Sequence, residues 1–281
     1  MTFNQHLNLS FRMKHLQKGE FFGQTNKTIY SNGLILTDTE YTKPTVDWHY
    51  HENAYFTFIL QGQVLEGNKK EIYHCGPGSL LFHNWQEPHY NIKPEGFTRG
   101  FHIEMESNWF REVDLKTEHL QGSINIKHPS VKLLMYQIFG ETNKEDSVTE
   151  LSVHSLLIAA LSQTNYSCES ASKTKPDWVK QLDEILNDQF ADNLTLSYLA
   201  EKANIHPVHL SRDFSKYFGC NLGQYIRKIR IVKALALFST QKMTLTDIAY
   251  RCGFFDQSHL TRCFKEINGI NPSAFRKLLV G

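Results

Sequence analysis

The chain has 281 residues, which at ordinary domain sizes suggests two domains. Its 41% hydrophobic and 21% charged residues give each domain enough apolar material for a core, which excludes global disorder. The net charge of +1 names no partner, but it is unevenly spread: residues 177–281 hold 14 Lys and Arg against 10 Asp and Glu, and residues 1–176 hold 16 against 19, a weak hint of nucleic acid at the C-terminal end.

The opening MTFNQHLNLSFRMKH has no apolar run of signal-peptide length, so no secretory leader is expected. Residues 28–105 read as strands. Segments 55–60, 79–82 and 98–105 are rich in β-branched and aromatic residues, and Gly62, Gly67, Gly76-Pro77-Gly78 and Pro94-Glu95-Gly96 punctuate them. Many short strands with glycine turns indicate an antiparallel sandwich or small barrel. The period then becomes helical, with Val131, Leu134 and Ile138 in one helix and Leu151, Ile158 and Leu161 in the next. This helix pair either caps the sheet or leaves an apolar face for a homodimer. The longest apolar stretch, 156–161, is far too short to cross a bilayer, so no membrane partner is expected.

SCESASKTKP, residues 167–176, is small, polar and ends in proline, and reads as a tether. Beyond it, helices are predicted over 178–190, 195–203, 207–218, 222–240, 244–252, 257–267 and 273–278. Thr195, His206, Thr244, Asp256 and Asn271 stand at N-cap positions and Pro207 and Pro272 in first turns, while Gly219 and Gly269 stand where helices stop. The cysteines (Cys75, Cys168, Cys220, Cys252 and Cys263) are odd in number, scattered and without a C-x-x-C. They fit a reducing, cytoplasmic setting better than a disulfide framework.

The C-terminal part contains a repeat. Thr195-Leu196-x-x-Leu199-Ala200 returns 49 residues later as Thr244-Leu245-x-x-Ile248-Ala249. After one inserted residue, His209-Leu210, Arg212, Phe214 and Gly219 return as His259-Leu260, Arg262, Phe264 and Gly269. Each copy is a short helix, a tight turn and a second helix, with a small alanine at the crossing: helix-turn-helix geometry, whose second helix presents polar side chains outward. Between the copies, segment 222–240 would span roughly 28 Å as a helix. That approaches the roughly 34 Å of one DNA turn. Its Arg227, Lys228, Arg230 and Lys233 either approach phosphates or are simply solvated.

The run 194–277, and above all DIAYRCGFFDQSHLTRCFKEINGINPSAFRK (247–277), resembles the AraC/XylS family of transcription regulators. The resemblance implies that Val208, Ser211, Arg212 and Lys216 in the first reading helix contact double-stranded DNA. In the second it implies Gln257, Ser258, His259, Thr261 and Arg262. Arginine can grip guanine or phosphate, glutamine suits adenine and valine meets a thymine methyl. Arg212 and Arg262, sharing one repeat slot, have a structural salt bridge as their alternative role.

The N-terminal WHYHENAYFTFILQG (48–62) and HCGPGSLLFHNWQEPH (74–89) resemble the two motifs of cupin barrels. The expected fold is therefore α+β: a cupin-like antiparallel barrel with a helix pair (1–166), a linker (167–176) and an all-α domain of two helix-turn-helix units (177–281). His49, His51, Tyr55, His83, Trp85 and His89 are expected to line a small-molecule effector pocket. The cupin resemblance also offers His49, His51 and His89 as ligands for a divalent metal. Tyr55 stands where cupins carry a carboxylate and Glu52 should face away. No other cofactor is implied.

Taken together, the expected function is an effector-responsive, sequence-specific regulator, an activator by family habit that contacts RNA polymerase, and not an enzyme. The alternatives are a metal-dependent cupin enzyme with an accessory DNA-binding domain, and a nucleoid-type binder, which the near-neutral charge disfavours.

Overall fold

The strand β5 (Ala54–Gln61) reads AYFTFILQ, an apolar run rather than an alternation. In the computed structural model, which describes residues 13–115, 120–144, 146–172, 175–240 and 243–280 (side chains of 165–172 excepted), this strand is buried on both faces. It sits inside a six-stranded sheet together with β2 (Gln24–Ser31), β3 (Leu34–Glu40), β8 (Leu80–His83), β10 (Arg99–Met105) and β11 (Ser123–Asn125), in the order β11-β8-β5-β10-β3-β2. A second sheet, ordered β1-β4-β9-β6-β7, comprises β1 (Lys14–Leu16), β4 (Thr45–His51), β9 (His89–Ile92), β6 (Val64–Gly67) and β7 (Ile72–Cys75).

The pairing is antiparallel except between β1 and β4, which run parallel. The expected barrel is not closed by hydrogen bonds. Strands of three or four residues, cut by Gly76-Pro77-Gly78, Pro88 and Pro94, cannot carry a ladder around the corners, so the sheets meet through side chains instead.

Phe56, Phe58, Phe82, Phe101 and Ile103 project from the outer face of the six-stranded sheet. They pack under α2 (Pro129–Glu141) and α3 (Thr149–Ser172), beside the short α1 (Ser107–Glu112). Contrary to the expected tether, residues 167–172 continue α3. Nothing in SCESAS breaks a helix, and the first proline comes only at Pro176. Residues 173–174 lie outside the described residues.

The remaining helices follow the sequence closely: α4 (Asp177–Asp188), α5 (Leu196–Lys202), α6 (Pro207–Phe218), α7 (Leu222–Phe238), α8 (Leu245–Arg251), α9 (Gln257–Asn268) and α10 (Pro272–Val280). The predicted caps account for the agreement. Thr195, His206, Thr244 and Asp256 each accept a backbone N–H from the first turn, and Gly219 and Gly269 end α6 and α9 in the left-handed conformation.

The two helix-turn-helix units belong to different cores. The helices α4 to α6 and the first half of α7 enclose Leu182, Leu199, Leu210, Phe214 and Ile229. The second half of α7 and α8 to α10 share one continuous core with the N-terminal domain. In that junction Tyr136 meets Phe275 edge-on, Gln137 Nε2 donates to Ile267 O (2.6 Å), and Gln61 Nε2 and Arg99 Nη1 donate to Leu279 O (2.7 and 2.9 Å). The spare apolar face of α2 is thus covered by this chain's own α7 and α10.

Candidate functional site

Two regions carry chemistry. The first lies between the sheets. Alternation along β4 points His49 and His51 the same way, and His89 at the start of neighbouring β9 joins them. The ring centroids lie 4.1 to 5.7 Å apart, all three side chains are buried, and their candidate ligand nitrogens lie within 4.8 Å of one another.

Tyr55 closes the cluster, its hydroxyl 2.9 Å from His89 Nε2 and its ring stacked on His83. His49 Nδ1 and His89 Nδ1 bond to the carbonyls of Asp47 and Glu87 (2.8 and 3.0 Å), which fixes those nitrogens as donors and leaves Nε2 of each facing inward. His51 Nδ1 is buried without a partner. Burial and the neighbouring imidazoles hold His51 well below the usual histidine pKa, and burial with His83 brings His89 to about 3, so both rings are neutral at pH 7.

Of the expected effector residues, His49, His51, Tyr55 and His89 line the cavity. His83 stands behind Tyr55. Trp85 does not join them: its ring packs on Phe110, beneath the helices. The sequence reading missed Glu66, Tyr41 and His102. Glu66 is 3% exposed on β6, accepts from Asn91 Nδ2 (3.1 Å) and lies 3.0 Å from His83 Nε2. Burial alone would raise its pKa, but His83, His89 and Asn91 outweigh burial and bring it down to about 2. The alternation Val64-x-Glu66 between two glycines was the available signal. His102 is held on both ring nitrogens, by Tyr41 OH (2.8 Å) and Thr37 Oγ1 (3.2 Å).

The cavity measures about 40 Å³, room for a few waters. Its mouth is filled by Phe21, stacked 3.8 Å from His102, and by Phe22 against His49.

The second region is the outer surface of α6 and α9. Leu210, Phe214 and Phe218 bury one side of α6, and Leu260, Cys263 and Phe264 bury one side of α9. The opposite sides present Val208, Ser211, Arg212 and Lys216, and Gln257, Ser258 and Arg262, all exposed, with His259 and Thr261 half-buried.

Several of these side chains are pre-positioned. Gln257 Oε1 accepts from Thr246 Oγ1 (2.7 Å), and His259 Nδ1 accepts from the Phe255 N–H (3.4 Å). Arg212 already forms a two-pronged pair with Asp213 (2.8 and 2.9 Å), whereas Arg262 has no hydrogen bond or ion pair among the described residues. Phe255, not singled out from sequence, is 83% exposed immediately before the N-cap of α9.

The basic side of α7 serves mainly to hold the fold. Arg230 donates to the carbonyls of Phe190 (2.8 Å) and Asp192 (2.9 Å) ahead of α5, and to Gly253 (2.6 Å) in the turn of the second unit. Lys228 reaches Ser130 of α2, Lys233 lies over the Phe190 ring, and Arg227 is exposed. Beside Arg230, Gly253 touches Ala191 so closely that an added Cβ would sit 2.5 Å from its carbonyl oxygen. The loop ahead of α5 and the turn ahead of α9 are therefore tied together, which joins the two helix-turn-helix units.

Both domains match known families. Residues 31–161 match the AraC-like ligand binding domain family and residues 199–278 a helix-turn-helix domain family. YbfI of Bacillus subtilis, an uncharacterized HTH-type transcriptional regulator, is 27% identical over 75% of this chain and 80% of its own length. PqrA of Proteus vulgaris, a probable transcription factor, is 34% identical over 31% of this chain and 70% of its own length. The arabinose operon regulatory protein of Escherichia coli is 25% identical over 77% of this chain and 78% of its own. The chain belongs to the AraC family of transcription regulators, with an N-terminal ligand-binding domain and a C-terminal DNA-binding domain.

Proposed function

We propose that this chain is a sequence-specific transcriptional activator whose α6 and α9 enter successive major grooves, and whose activity is set by a small polar effector in the histidine pocket. The observation that carries the reading is the Arg230 and Gly253 lock, which fixes two polar, outward helix faces relative to each other. Val208, Ser211, Arg212, Lys216, Gln257, Ser258, His259, Thr261 and Arg262 are the proposed DNA contacts. A homodimer, contact with RNA polymerase and a cytoplasmic location complete the reading. Exposed Val148 and Leu151 (56% and 70%) support a second copy.

For the effector, His49, His51, Tyr55 and His89 with Glu66 offer neutral donors, acceptors and one carboxylate. Admission of any solute larger than a few waters requires Phe21 and Phe22 to swing out, and that movement would couple occupancy to the rest of the fold. The test is genome-wide identification of bound DNA sites with the wild type and with Arg262→Ala. Arg262→Ala should weaken binding at those sites by about 1–3 kcal/mol at fixed salt while circular dichroism stays unchanged. Absence of any preferred DNA sequence in the wild type would overturn the proposal.

A second reading rests on the orphaned His51 Nδ1 and the inward Nε2 atoms of His49 and His89. Three neutral imidazoles, two of them braced by carbonyls, fit a divalent transition metal, with Tyr55 in the fourth direction. His49, His51 and His89 would hold it, and it would supply a Lewis acid that polarises an effector or substrate oxygen. Purified protein should then carry about one equivalent by elemental analysis and lose it in His51→Ala. Metal-free protein that binds none on addition of zinc or nickel would end this reading.

A further inference from the structure

The two helix-turn-helix units differ in length by one residue, and the difference falls in the turn. At first the two turns run alike. Asn204 and Gly253 both take a left-handed conformation, with φ of 50° and 75°. The next N–H, of Ile205 or Phe254, donates to the carbonyl of Ala200 or Ala249 (3.0 and 2.9 Å). In the first unit the N-cap of the reading helix, His206, then follows at once. In the second, Phe255 stands between Phe254 and the N-cap Asp256. Phe255 is therefore the inserted residue.

Its main chain is held on both sides. Phe254 belongs to the core at 3% exposure, and Asp256 Oδ1 accepts the His259 N–H (2.6 Å). The Phe255 N–H itself donates to His259 Nδ1. The ring has no way inward and is the most exposed large apolar side chain among the described residues. Single exposed apolar residues are ordinary, so position has to decide the matter. Among the described residues beyond 175, only Val208, Tyr250 and Phe255 are large apolar side chains left exposed. Val208 lies in the first turn of α6 and Phe255 immediately ahead of α9. Tyr250 lies one turn along α8 from Thr246, whose hydroxyl bonds to Gln257 at the start of α9. Arg251 and Gln257, exposed on either side of the turn, set the ring between a cation and a hydrogen-bonding amide. Such a surface complements the major groove, where the C5-methyl of thymine is an apolar group between two anionic backbones.

We infer that Phe255 is a specificity-determining residue of the second unit, its ring covering the C5-methyl of a thymine beside the bases that α9 reads. The inference rests on α9 entering the major groove, as proposed above. Because the first unit lacks the residue, the preference belongs to one half-site, and the two half-sites are unlike in sequence.

Selection of a random duplex pool on the full chain supplies the probe. Each thymidine of the enriched duplex is then replaced in turn by deoxyuridine, which removes only the methyl, and binding is followed by fluorescence anisotropy at fixed salt. At one or more positions the wild type should weaken about three- to fivefold, the worth of one methyl. At one of these, Phe255→Ala should bind the two duplexes equally, while Phe255→Leu keeps the preference. The ring is exposed, so folding should survive in both variants, as circular dichroism would verify. A ring that only supported the turn would weaken both duplexes in proportion and leave every methyl penalty in place. That result, or a wild type indifferent to every thymine methyl, would overturn the inference alone. A wild type that enriches no sequence would overturn the groove reading and this inference with it.

Discussion

Arg212 and Arg262 occupy the same slot of the repeat and differ in what they already touch. Arg212 must release Asp213 before it can grip phosphate or base, whereas Arg262 has no hydrogen bond or ion pair to release among the described residues. Arg212→Ala should therefore weaken DNA binding less than Arg262→Ala, and Asp213→Asn should strengthen it severalfold, as fluorescence anisotropy at constant ionic strength would show. The sequence revealed both arginines but not this difference, because the distinguishing residue is a neighbour that the repeat does not share.

Histidines give the second residue-scale consequence. Burial lowers His102 to a pKa of about 3 and His128 to about 4, against about 6.5 for the unfolded chain. The unfolded chain thus binds more protons below pH 6.5, so stability is complete above that pH and falls as pH drops toward 4. At pH 5.5 each histidine costs about 1.4 kcal/mol. Melting curves at pH 7.5 and 5.5 should show this loss, and His102→Gln should reduce the slope by about one proton. A melting temperature flat across that range would contradict the burial of these rings.

At the scale of elements, the helices of the C-terminal half were legible because local chemistry sets their ends. Thr244 with Asp247 and Asn221 with Gln224 form reciprocal capping boxes, and Pro207 and Pro272 begin helices. The strands were legible from their aromatic and β-branched content, but their closure was not, since that depends on ladders between distant short segments. Nor could the sequence show that Arg230 binds carbonyls rather than phosphates, because those carbonyls belong to turns about 40 and 23 residues away. The pocket was half legible: the His-x-His spacing gave His49 and His51 and the second motif gave His89, while Glu66 and His102 arrive from strands outside either motif.

The lock between the reading units yields its own comparison. Gly253 and Gly269 both have φ near +75°, but only Gly253 has a neighbour within reach of a Cβ. Gly269→Ala should cost only the left-handed conformation, about 1 kcal/mol. Gly253→Ala adds a collision with the Ala191 backbone and should cost about 2–4 kcal/mol in denaturant unfolding, with a loss of DNA affinity that Gly269→Ala does not share.

At the scale of the whole molecule, the sequence suggests a boundary near residue 170, with a sensor on one side and a reader on the other. The buried side chains divide differently. The second reading unit is fused to the sheets through α2, while α4 to α6 enclose a smaller core of their own. Composition could not disclose this, because α2 looks equally apolar whether it meets a second copy or its own α7.

Unequal fusion of this kind predetermines how the protein comes apart. On warming, the smaller cluster should melt first, giving a minor low-temperature peak in calorimetry, and limited proteolysis should cut first between residues 189 and 221. The sheets and α8 to α10 should then persist as two trypsin-resistant fragments that stay associated through their shared core. A regulator that frays in this order loses one of its two grips on DNA well before it loses its sensor, so mild heat would loosen promoter occupancy while leaving effector recognition intact.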